Sequence, residues 1–218
     1  MSHVLYLHGF ASSPATAKGQ AMKRLLTGVA RSYAVPRLDG DEFQAMTVTS
    51  MRQVVADAVA ALPADGRPLM LIGSSLGGYL AALVARDLPR VHALVLIAPA
   101  FEFTESWARK FTADDVARWK RERSRPFFHY GSERDQPLGY GFYESCLSLP
   151  SYPEVPGIPI AIVHGRRDDV VDWRVSLEFA ERTPTAELHL VDGDHRLTEP
   201  RHEELIAWCA RDLLKRLG

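Results

Sequence analysis

Residues 69–85, LMLIGSSLGGYLAALVA, decide the fold of this 218-residue chain. The first four form an apolar run typical of a buried strand, Gly73-Ser74-Ser75-Leu76-Gly77 follows, and an apolar helical pattern begins at once. A serine at the centre of such a turn has its hydroxyl clear of the sheet, and glycines two residues to either side remove side chains that would clash. The stretch predicts a nucleophile elbow in which Ser75 is the nucleophile.

The G-x-S-x-G pattern by itself arises by chance in many proteins, so its context decides between interpretations. A phosphate-binding loop of the Walker type requires a lysine after the last glycine, whereas Gly78 and Tyr79 stand there. A plain glycine-rich turn between strand and helix is the other alternative. The N-terminus of the following helix favours a developing negative charge, which makes the Leu76 N–H a candidate oxyanion donor.

Short Val-, Ile- and Leu-rich runs alternate with longer helical patterns along the rest of the chain. The predicted strands are residues 4–7, 33–38, 69–72, 91–97, 158–163 and 187–191. The predicted helices are residues 15–30, 49–62, 76–87, 173–182 and 201–217. This alternation is typical of an α/β fold with a mostly parallel central sheet of about six or seven strands flanked by helices. We expect a single domain, residues 1–218, in which residues 101–156 show no convincing strand and form a small lid insertion above the sheet.

A second oxyanion donor is expected from the loop after the first strand, where His8-Gly9-Phe10 stands. We assign this role to the Phe10 N–H, and Gly9 allows the chain to turn sharply there. His8 is interpreted as a residue that packs or hydrogen-bonds under this loop and not as a base.

A serine hydroxyl requires an imidazole base, which in this architecture follows the nucleophile and the acid in chain order. His195 falls in a loop just after the last predicted strand, at the edge of the sheet where site loops meet, and is the predicted base. The other histidines that follow Ser75 are interpreted as packing, surface or insertion residues: His129, His164, His189 and His202.

The acid that orients His195 is expected in the loop after the preceding strand, where Asp168 and Asp169 are adjacent. Asp168 is our first choice, because its spacing after Gly165 places it toward His195 while Asp169 is expected to point outward. Asp169 stays open as the alternative acid. The remaining aspartates of these loops are interpreted as surface residues: Asp172, Asp192 and Asp194.

Charge and composition exclude several classes of function. A formal net charge of -1 and a pI of about 6.7 provide no attraction to nucleic acid or anionic membrane. No apolar stretch approaches the roughly 20 residues that span a bilayer, and no signal peptide is expected, so we predict a cytoplasmic protein with a small-molecule partner. Cys146 and Cys209 have neither zinc-site spacing nor the density of a disulfide scaffold, and two reduced thiols are expected.

Four motifs are spread over nearly the whole chain: LHGF-x-SSP with Lys18 nearby, GSSLGGY, HGRRDDVV and VDGDH. Together they resemble the YqiA-like small bacterial esterases of the α/β-hydrolase superfamily. The resemblance implies an intracellular carboxylesterase or thioesterase with a triad of Ser75, Asp168 and His195 and with neither metal nor organic cofactor. Asp172 departs from the pattern, since related hydrolases often have proline after the paired valines.

The insertion is rich in large aromatic residues, too many for a solvated loop. They form either a lid with an apolar acyl pocket or a satellite core, and we expect a mixture of the two. The basic run at residues 118–125 is interpreted as a solvated helix face, with binding of acyl-CoA phosphates as the alternative.

The predicted activity is hydrolysis of a carboxylic ester or an acyl thioester, acyl-CoA among them, through an acyl-enzyme on Ser75. A serine peptidase or an acyltransferase that uses the same triad stays an alternative. A non-catalytic ligand- or protein-binding protein is a third, and it would require a broken triad.

Overall fold

The computed structural model describes residues 1–217 and arranges them as eight strands, eight helices and a 3-10 turn, Phe43–Ala45. The strands are β1 (His3–Leu7), β2 (Ser32–Ala34), β3 (Leu69–Ser74), β4 (Val91–Ile97), β5 (Ser124–His129), β6 (Arg134–Gly139), β7 (Ile160–Gly165) and β8 (Ala186–Val191). The helices are α1 (Ala17–Leu25), α2 (Val48–Ala60), α3 (Leu76–Ala85), α4 (Phe103–Lys110), α5 (Ala113–Glu122), α6 (Tyr140–Cys146), α7 (Arg174–Arg182) and α8 (Pro200–Arg216).

Six parallel strands form the central sheet in the order β2-β1-β3-β4-β7-β8, which confirms the predicted α/β-hydrolase architecture. The chain runs from β1 outward to β2 and then returns to β3 on the other side of β1. This reversal creates a topological switch point between β1 and β3. Because Leu7 pairs with Gly73 and Gly73 pairs with Leu96, the carboxyl ends of the three central strands reach the same edge of the sheet.

Alternate residues of the strands enter two separate cores, one on each face of the sheet. Along β1, Leu5 and Leu7 belong to the core that α2, α3 and α7 cover, whereas Val4 and Tyr6 belong to the core that α1 and α8 cover. All four side chains are at most 1% exposed. The sheet is therefore a buried layer that fixes where its strand ends, and the loops after them, are placed.

The insertion between β4 and β7 contains regular structure that its sequence pattern does not reveal. The expectation that residues 101–156 carry no strand was wrong, because β5 and β6 pair there as an antiparallel hairpin. Pro126 lies opposite Pro137 in this hairpin. Proline has no N–H to donate and interrupts the pattern by which strands are recognised, so the hairpin is hidden in the sequence.

Aromatic side chains of the insertion pack into a cluster continuous with the core on the α2 and α3 face. Trp119 is 1% exposed and donates its indole N–H to the Leu138 carbonyl at 2.9 Å. Trp107 stacks on Phe127 with the ring centroids 5.5 Å apart and the planes within 8°. The insertion is thus a packed unit, in agreement with the satellite-core part of the expectation.

Two predicted elements are shorter than expected. The strand predicted at residues 33–38 ends at Ala34, and Pro36 just beyond it has no N–H for a ladder. The helix predicted at residues 15–30 ends at Leu25, and Gly28 beyond it adopts a φ of +83° that stops a right-handed helix.

The structure also bears on two expectations drawn from composition, the lack of a membrane-spanning segment and the presence of two reduced thiols. Within residues 1–217, no helix is both long and apolar enough to cross a membrane. Cys146 and Cys209 are buried free thiols, and burial raises their pKa to about 12 and about 11. Neither thiol is therefore ionised at neutral pH.

Replacement of Trp119 tests whether the insertion contributes to the stability of the core. We expect Trp119→Ala to lower the free energy of unfolding by about 3–5 kcal/mol, because it removes a buried ring and the donor to Leu138. Urea unfolding followed by circular dichroism measures the loss. Trp208→Ala is the matched control, since Trp208 is 54% exposed on α8, and its effect should stay within about 0.5 kcal/mol. Equal losses in both variants would contradict a core role for the insertion.

Candidate active site

Ser75 occupies a strained turn between β3 and α3. Its φ of 54° and ψ of -121° lie in a region that residues with a side chain rarely adopt. The Ser75 N–H donates to the Ile97 carbonyl at 2.9 Å, and its own carbonyl accepts from the Gly78 N–H at 2.9 Å and the Tyr79 N–H at 3.1 Å. The turn is therefore held from β4 and from the first turn of α3.

Gly73 and Gly77 are required by the close approach of backbone atoms. A Cβ on Gly73 would lie 2.2 Å from the Gly77 carbonyl oxygen, and a Cβ on Gly77 would lie 2.2 Å from the Leu7 carbonyl oxygen. Both separations are far inside van der Waals contact. The clashes that the sequence analysis expected at these two positions are thus present, and they involve the end of β1 as well as the turn itself.

The structure brings Ser75, Asp168 and His195 together. His195 Nε2 lies 3.1 Å from Ser75 Oγ, and His195 Nδ1 lies 2.7 Å from Asp168 Oδ2. These distances fit a serine hydroxyl that donates to Nε2 and an Nδ1–H that donates to the carboxylate. Asp169, the alternative acid, is exposed, and it is Asp168 that reaches the imidazole.

The carboxylate of Asp168 is fully buried and accepts from four neighbours. Oδ1 accepts from the N–H groups of Val170 at 2.9 Å and Val171 at 2.8 Å, while Oδ2 accepts from His195 and from His164 Nε2 at 3.0 Å. Burial alone would raise the pKa of Asp168. The hydrogen bonds from His164, His195 and Val171 outweigh burial and hold this pKa well below its ordinary range. Asp168 is therefore an ionised carboxylate at neutral pH.

His164 is the site residue that sequence reasoning missed, since it was interpreted as a packing residue. It is fully buried, with Nδ1 2.7 Å from Ser176 Oγ and Nε2 facing both Asp168 Oδ2 and, at 3.1 Å, the Val171 carbonyl. Because Nε2 faces two acceptors, it carries the proton, and Nδ1 accepts from the Ser176 hydroxyl. The spacing of His164 and Asp168 around Gly165 is the one sequence signal that could have revealed this contact.

The loops that carry Asp168 and His195 are joined through their backbones. A Cβ on Gly165 would lie 2.2 Å from the Gly193 carbonyl oxygen. Asp194 is exposed, as expected, yet its Oδ1 accepts from the Leu197 N–H at 3.0 Å and so shapes the turn beyond His195. The distance between Asp168 and His195 is thus set by main-chain contact between their loops as well as by the hydrogen bond between the two side chains.

The loop after β1 lies against Ser75, because a Cβ on Gly9 would be 3.4 Å from the Ser75 Cβ. Among residues 1–217, neither the Phe10 N–H nor the Leu76 N–H donates a hydrogen bond to another protein group. Leu76 is the first residue of α3, where N–H groups have no partner within the helix. Both predicted oxyanion donors therefore lie near Ser75 without an acceptor in the described chain.

His8 supports this loop, as the sequence analysis expected. Its Nε2 accepts from the Leu38 N–H at 3.2 Å, so Nδ1 carries the proton and donates to the Gly9 carbonyl at 3.0 Å. Burial lowers the pKa of His8, which keeps the ring neutral.

A cavity of about 1440 Å³ opens above Ser75 and His195. One set of lining side chains is aromatic and comes mainly from the insertion: Phe10, Phe101, Phe103, Trp107, Phe111 and Phe127. A second set carries hydroxyl groups and lies mainly in the loop before α1: Ser12, Ser13, Thr16, Ser74 and Thr198. Residues 118–125 are not part of this lining. Arg118 and Arg125 instead contact Asp115 within the insertion, which favours the solvated-face interpretation of the basic run.

Comparison with protein families and curated proteins gives one family and one group of relatives. The model of a family described as "Uncharacterised protein family (UPF0227)" matches residues 3–207. The bovine protein described as "Palmitoyl-protein thioesterase ABHD10, mitochondrial" is 25% identical over 99% of this chain and 74% of its own length. Its human counterpart is 30% identical over 71% of this chain and 53% of its own length, so the match spans about half of that relative. Because these relatives are described as mitochondrial, the expected cytoplasmic location stays a prediction.

Solved structures share the fold at low sequence identity. The mouse alpha/beta hydrolase domain-containing protein 10 superposes with a TM-score of 0.80 at 23% identity, covering 99% of this chain and 90% of that one. Est1E from Butyrivibrio proteoclasticus superposes with a TM-score of 0.75 at 17% identity, covering 99% and 88% of the two chains. At these identities the likeness concerns the fold alone.

Paired substitutions distinguish Asp168 from Asp169 as the acid. We expect Asp168→Asn to lower kcat on an activated ester by about 10⁴-fold, because the amide favours the wrong imidazole tautomer. Asp169→Asn should stay within about threefold of the unmodified protein, since its side chain is exposed. Steady-state hydrolysis of a p-nitrophenyl ester measures both. The reverse order of effects would identify Asp169 as the acid.

A variant of His164 tests its contact with the acid. We expect His164→Leu to lower the free energy of unfolding by about 1.5–3 kcal/mol, because a hydrogen bond to a buried carboxylate is lost. His164→Gln keeps an amide donor and should recover part of that loss. Urea unfolding of the three proteins at pH 7 measures the series, and a Leu variant as stable as the unmodified protein would remove His164 from the support of Asp168.

Proposed function

The chain belongs to the UPF0227 family, and from this membership and the geometry of its site we propose that it is a serine hydrolase of acyl esters or acyl thioesters. The observation that carries the proposal is the continuous contact from Ser75 Oγ to His195 Nε2 at 3.1 Å and from His195 Nδ1 to Asp168 at 2.7 Å. The names of the curated relatives and the two N–H groups without acceptors beside Ser75 support it.

The first half of the reaction forms an acyl-enzyme. Ser75 Oγ attacks the carbonyl carbon of the substrate while His195 Nε2 takes the hydroxyl proton, and the buried carboxylate of Asp168 stabilises the imidazolium. The negative charge that develops on the carbonyl oxygen is held by the N–H groups of Phe10 and Leu76. Collapse of this intermediate breaks the bond to the alcohol or thiol, which takes the proton from His195.

The second half releases the acid. His195 removes a proton from water, the resulting hydroxide attacks the acyl carbon, and the same N–H pair holds the oxyanion again. The bond between the acyl carbon and Ser75 Oγ then breaks, and Oγ recovers its proton from His195. Every proton transfer in the two half-reactions goes through His195, so the proposed reaction requires neither a metal nor an organic cofactor.

The aromatic set of the cavity supports an apolar acyl group as the part of the substrate held by the insertion. The rings of Trp107 and Phe127 lie 5.4 Å and 5.5 Å from the ring of Phe10, whose N–H is a proposed oxyanion donor. An acyl chain that extends from the carbonyl carbon into the cavity would contact these rings first. The palmitoyl-protein thioesterase relatives support extending the proposal from esters to thioesters.

Covalent labelling and chain-length kinetics test the proposal. The protein is incubated with a fluorophosphonate probe and assayed with p-nitrophenyl esters from acetate to palmitate and with an acyl thioester. We expect labelling and hydrolysis in the unmodified protein and a loss of kcat of about 10⁴-fold or more in Ser75→Ala. The chain length with the highest kcat/KM reports how much of the aromatic set the acyl group fills.

Ser148→Ala is the matched control, because Ser148 is an exposed serine outside the cavity and should label as the unmodified protein does. A folded protein that neither labels nor hydrolyses any ester would favour the non-catalytic binding protein. Labelling without release of acid, but with acyl transfer to an added amine or alcohol, would favour the acyltransferase.

A further inference from the structure

Lys18, in the first turn of α1, is a buried cation without a matching anion. The residue is 6% exposed, and its Nζ donates to Ser74 Oγ at 3.2 Å. No carboxylate of residues 1–217 lies within ion-pair distance of Nζ, and Ser74 is its one hydrogen-bond partner there. An ammonium group has three N–H donors, so two of them lack a protein acceptor.

A buried charge with one neutral partner is unfavourable for folding. Burial accordingly lowers the pKa of Lys18 to about 8, although the carboxylates of Asp194, Glu203 and Asp168 act in the opposite direction from a greater distance. A leucine or methionine at this position would avoid the cost. The stability lost here suggests that the cation serves a ligand.

The position of Lys18 indicates which part of a ligand it meets. Lys18 and its partner Ser74 both line the cavity that contains Ser75 and His195. Lys18 adjoins two hydroxyl-bearing residues of that lining, since its Nζ donates to Ser74 and Thr16 is the N-cap of its own helix α1, whereas most of the aromatic set comes from the insertion. An ester or thioester bound at Ser75 has an acyl group and a leaving group, the alcohol or thiol. The aromatic set suits the acyl group, and the surroundings of Lys18 suit the leaving group.

We propose that Lys18 binds an anionic oxygen of the leaving group, a carboxylate or a phosphate, so that the preferred substrates are acyl esters or thioesters of an acidic alcohol or thiol. This inference rests on the proposed function. The ammonium of Lys18 donates to the anionic oxygen with the N–H groups that the protein leaves free, and the nearby hydroxyls donate to its remaining lone pairs.

Matched substrates test the proposal by changing only the charge of the leaving group. The substrates are 4-butyryloxybenzoate, its neutral benzamide analogue and 4-butyryloxyphenyl phosphate, assayed with the unmodified protein, Lys18→Met and Lys18→Arg. We expect Lys18→Met to lower kcat/KM by about 10- to 100-fold for the anionic substrate that fits, as for loss of a hydrogen bond to a charged group. The benzamide should change by less than about threefold, and Lys18→Arg should keep part of the anion preference. The anionic substrate whose kcat/KM falls in Lys18→Met shows whether Lys18 binds a carboxylate or a phosphate.

The pH dependence gives a second readout. The ammonium is charged below its pKa of about 8 and loses its charge above it, so the ratio of kcat/KM for anionic over neutral substrate should fall as the pH rises through 8. The groups around Lys18 that also carry charge are Asp168, Asp194, Arg196 and Glu203. The ratio in Lys18→Met should stay flat over the same range, which separates Lys18 from the other groups.

Binding without turnover separates this proposal from the proposed function. Calorimetry on Ser75→Ala compares the unreactive amides 4-butyramidobenzoate and 4-butyramidobenzamide, with and without Lys18→Met. A Lys18-dependent preference for the benzoate supports the anion site even if no ester is hydrolysed. Equal loss of affinity for the charged and the neutral ligand, or no loss for either, would overturn the proposal. A lower unfolding midpoint in Lys18→Met would then identify Lys18 as a structural residue.

Discussion

The turn at Ser75 depends on backbone contacts that leave no room for a side chain. Gly73 approaches the carbonyl of Gly77, and Gly77 approaches the carbonyls of Leu7 and His8. These contacts join the end of β3 to the end of β1, on the two sides of the switch point of the sheet. One steric constraint therefore fixes both Ser75 and the loop that carries Phe10, so the two cannot shift independently.

Hydrogen bonds hold Asp168, the proposed acid, against His195, the proposed base. The carboxylate of Asp168 is surrounded by donors from its own loop, from β7 through His164, and from the loop of His195. An ionised group can be buried only if its oxygens are satisfied, and here each oxygen has two donors. The imidazole of His195 is 18% exposed. Ser75 and His195 both line the cavity, so substrate and water reach these two members of the proposed triad while Asp168 is shielded.

The parallel strands of the sheet and the elbow at Ser75 can be predicted from the sequence, because both arise from local patterns: buried runs, helical periodicity and glycines around Ser75. The sequence also leads to Asp168 and His195 through chain order and loop position, and the structure places them together. The hairpin at Pro126 and Pro137 and the contact of His164 with Asp168 depend on tertiary pairing, which no local pattern encodes. Lys18 is visible in the sequence, but its burial without an anion is a property of packing alone.

Phe10 contacts the insertion with its ring and lies in the loop that carries a proposed oxyanion donor. Its N–H is a proposed oxyanion donor, while its ring makes edge contacts with Trp107 and Phe127 of the insertion at 5.4 Å and 5.5 Å. The insertion also reaches this loop through the Tyr130 N–H, which donates to the Ala11 carbonyl at 2.7 Å. In the proposed reaction, acyl recognition and rate are coupled, because Phe10 contributes both a ring to the aromatic set and the proposed oxyanion donor.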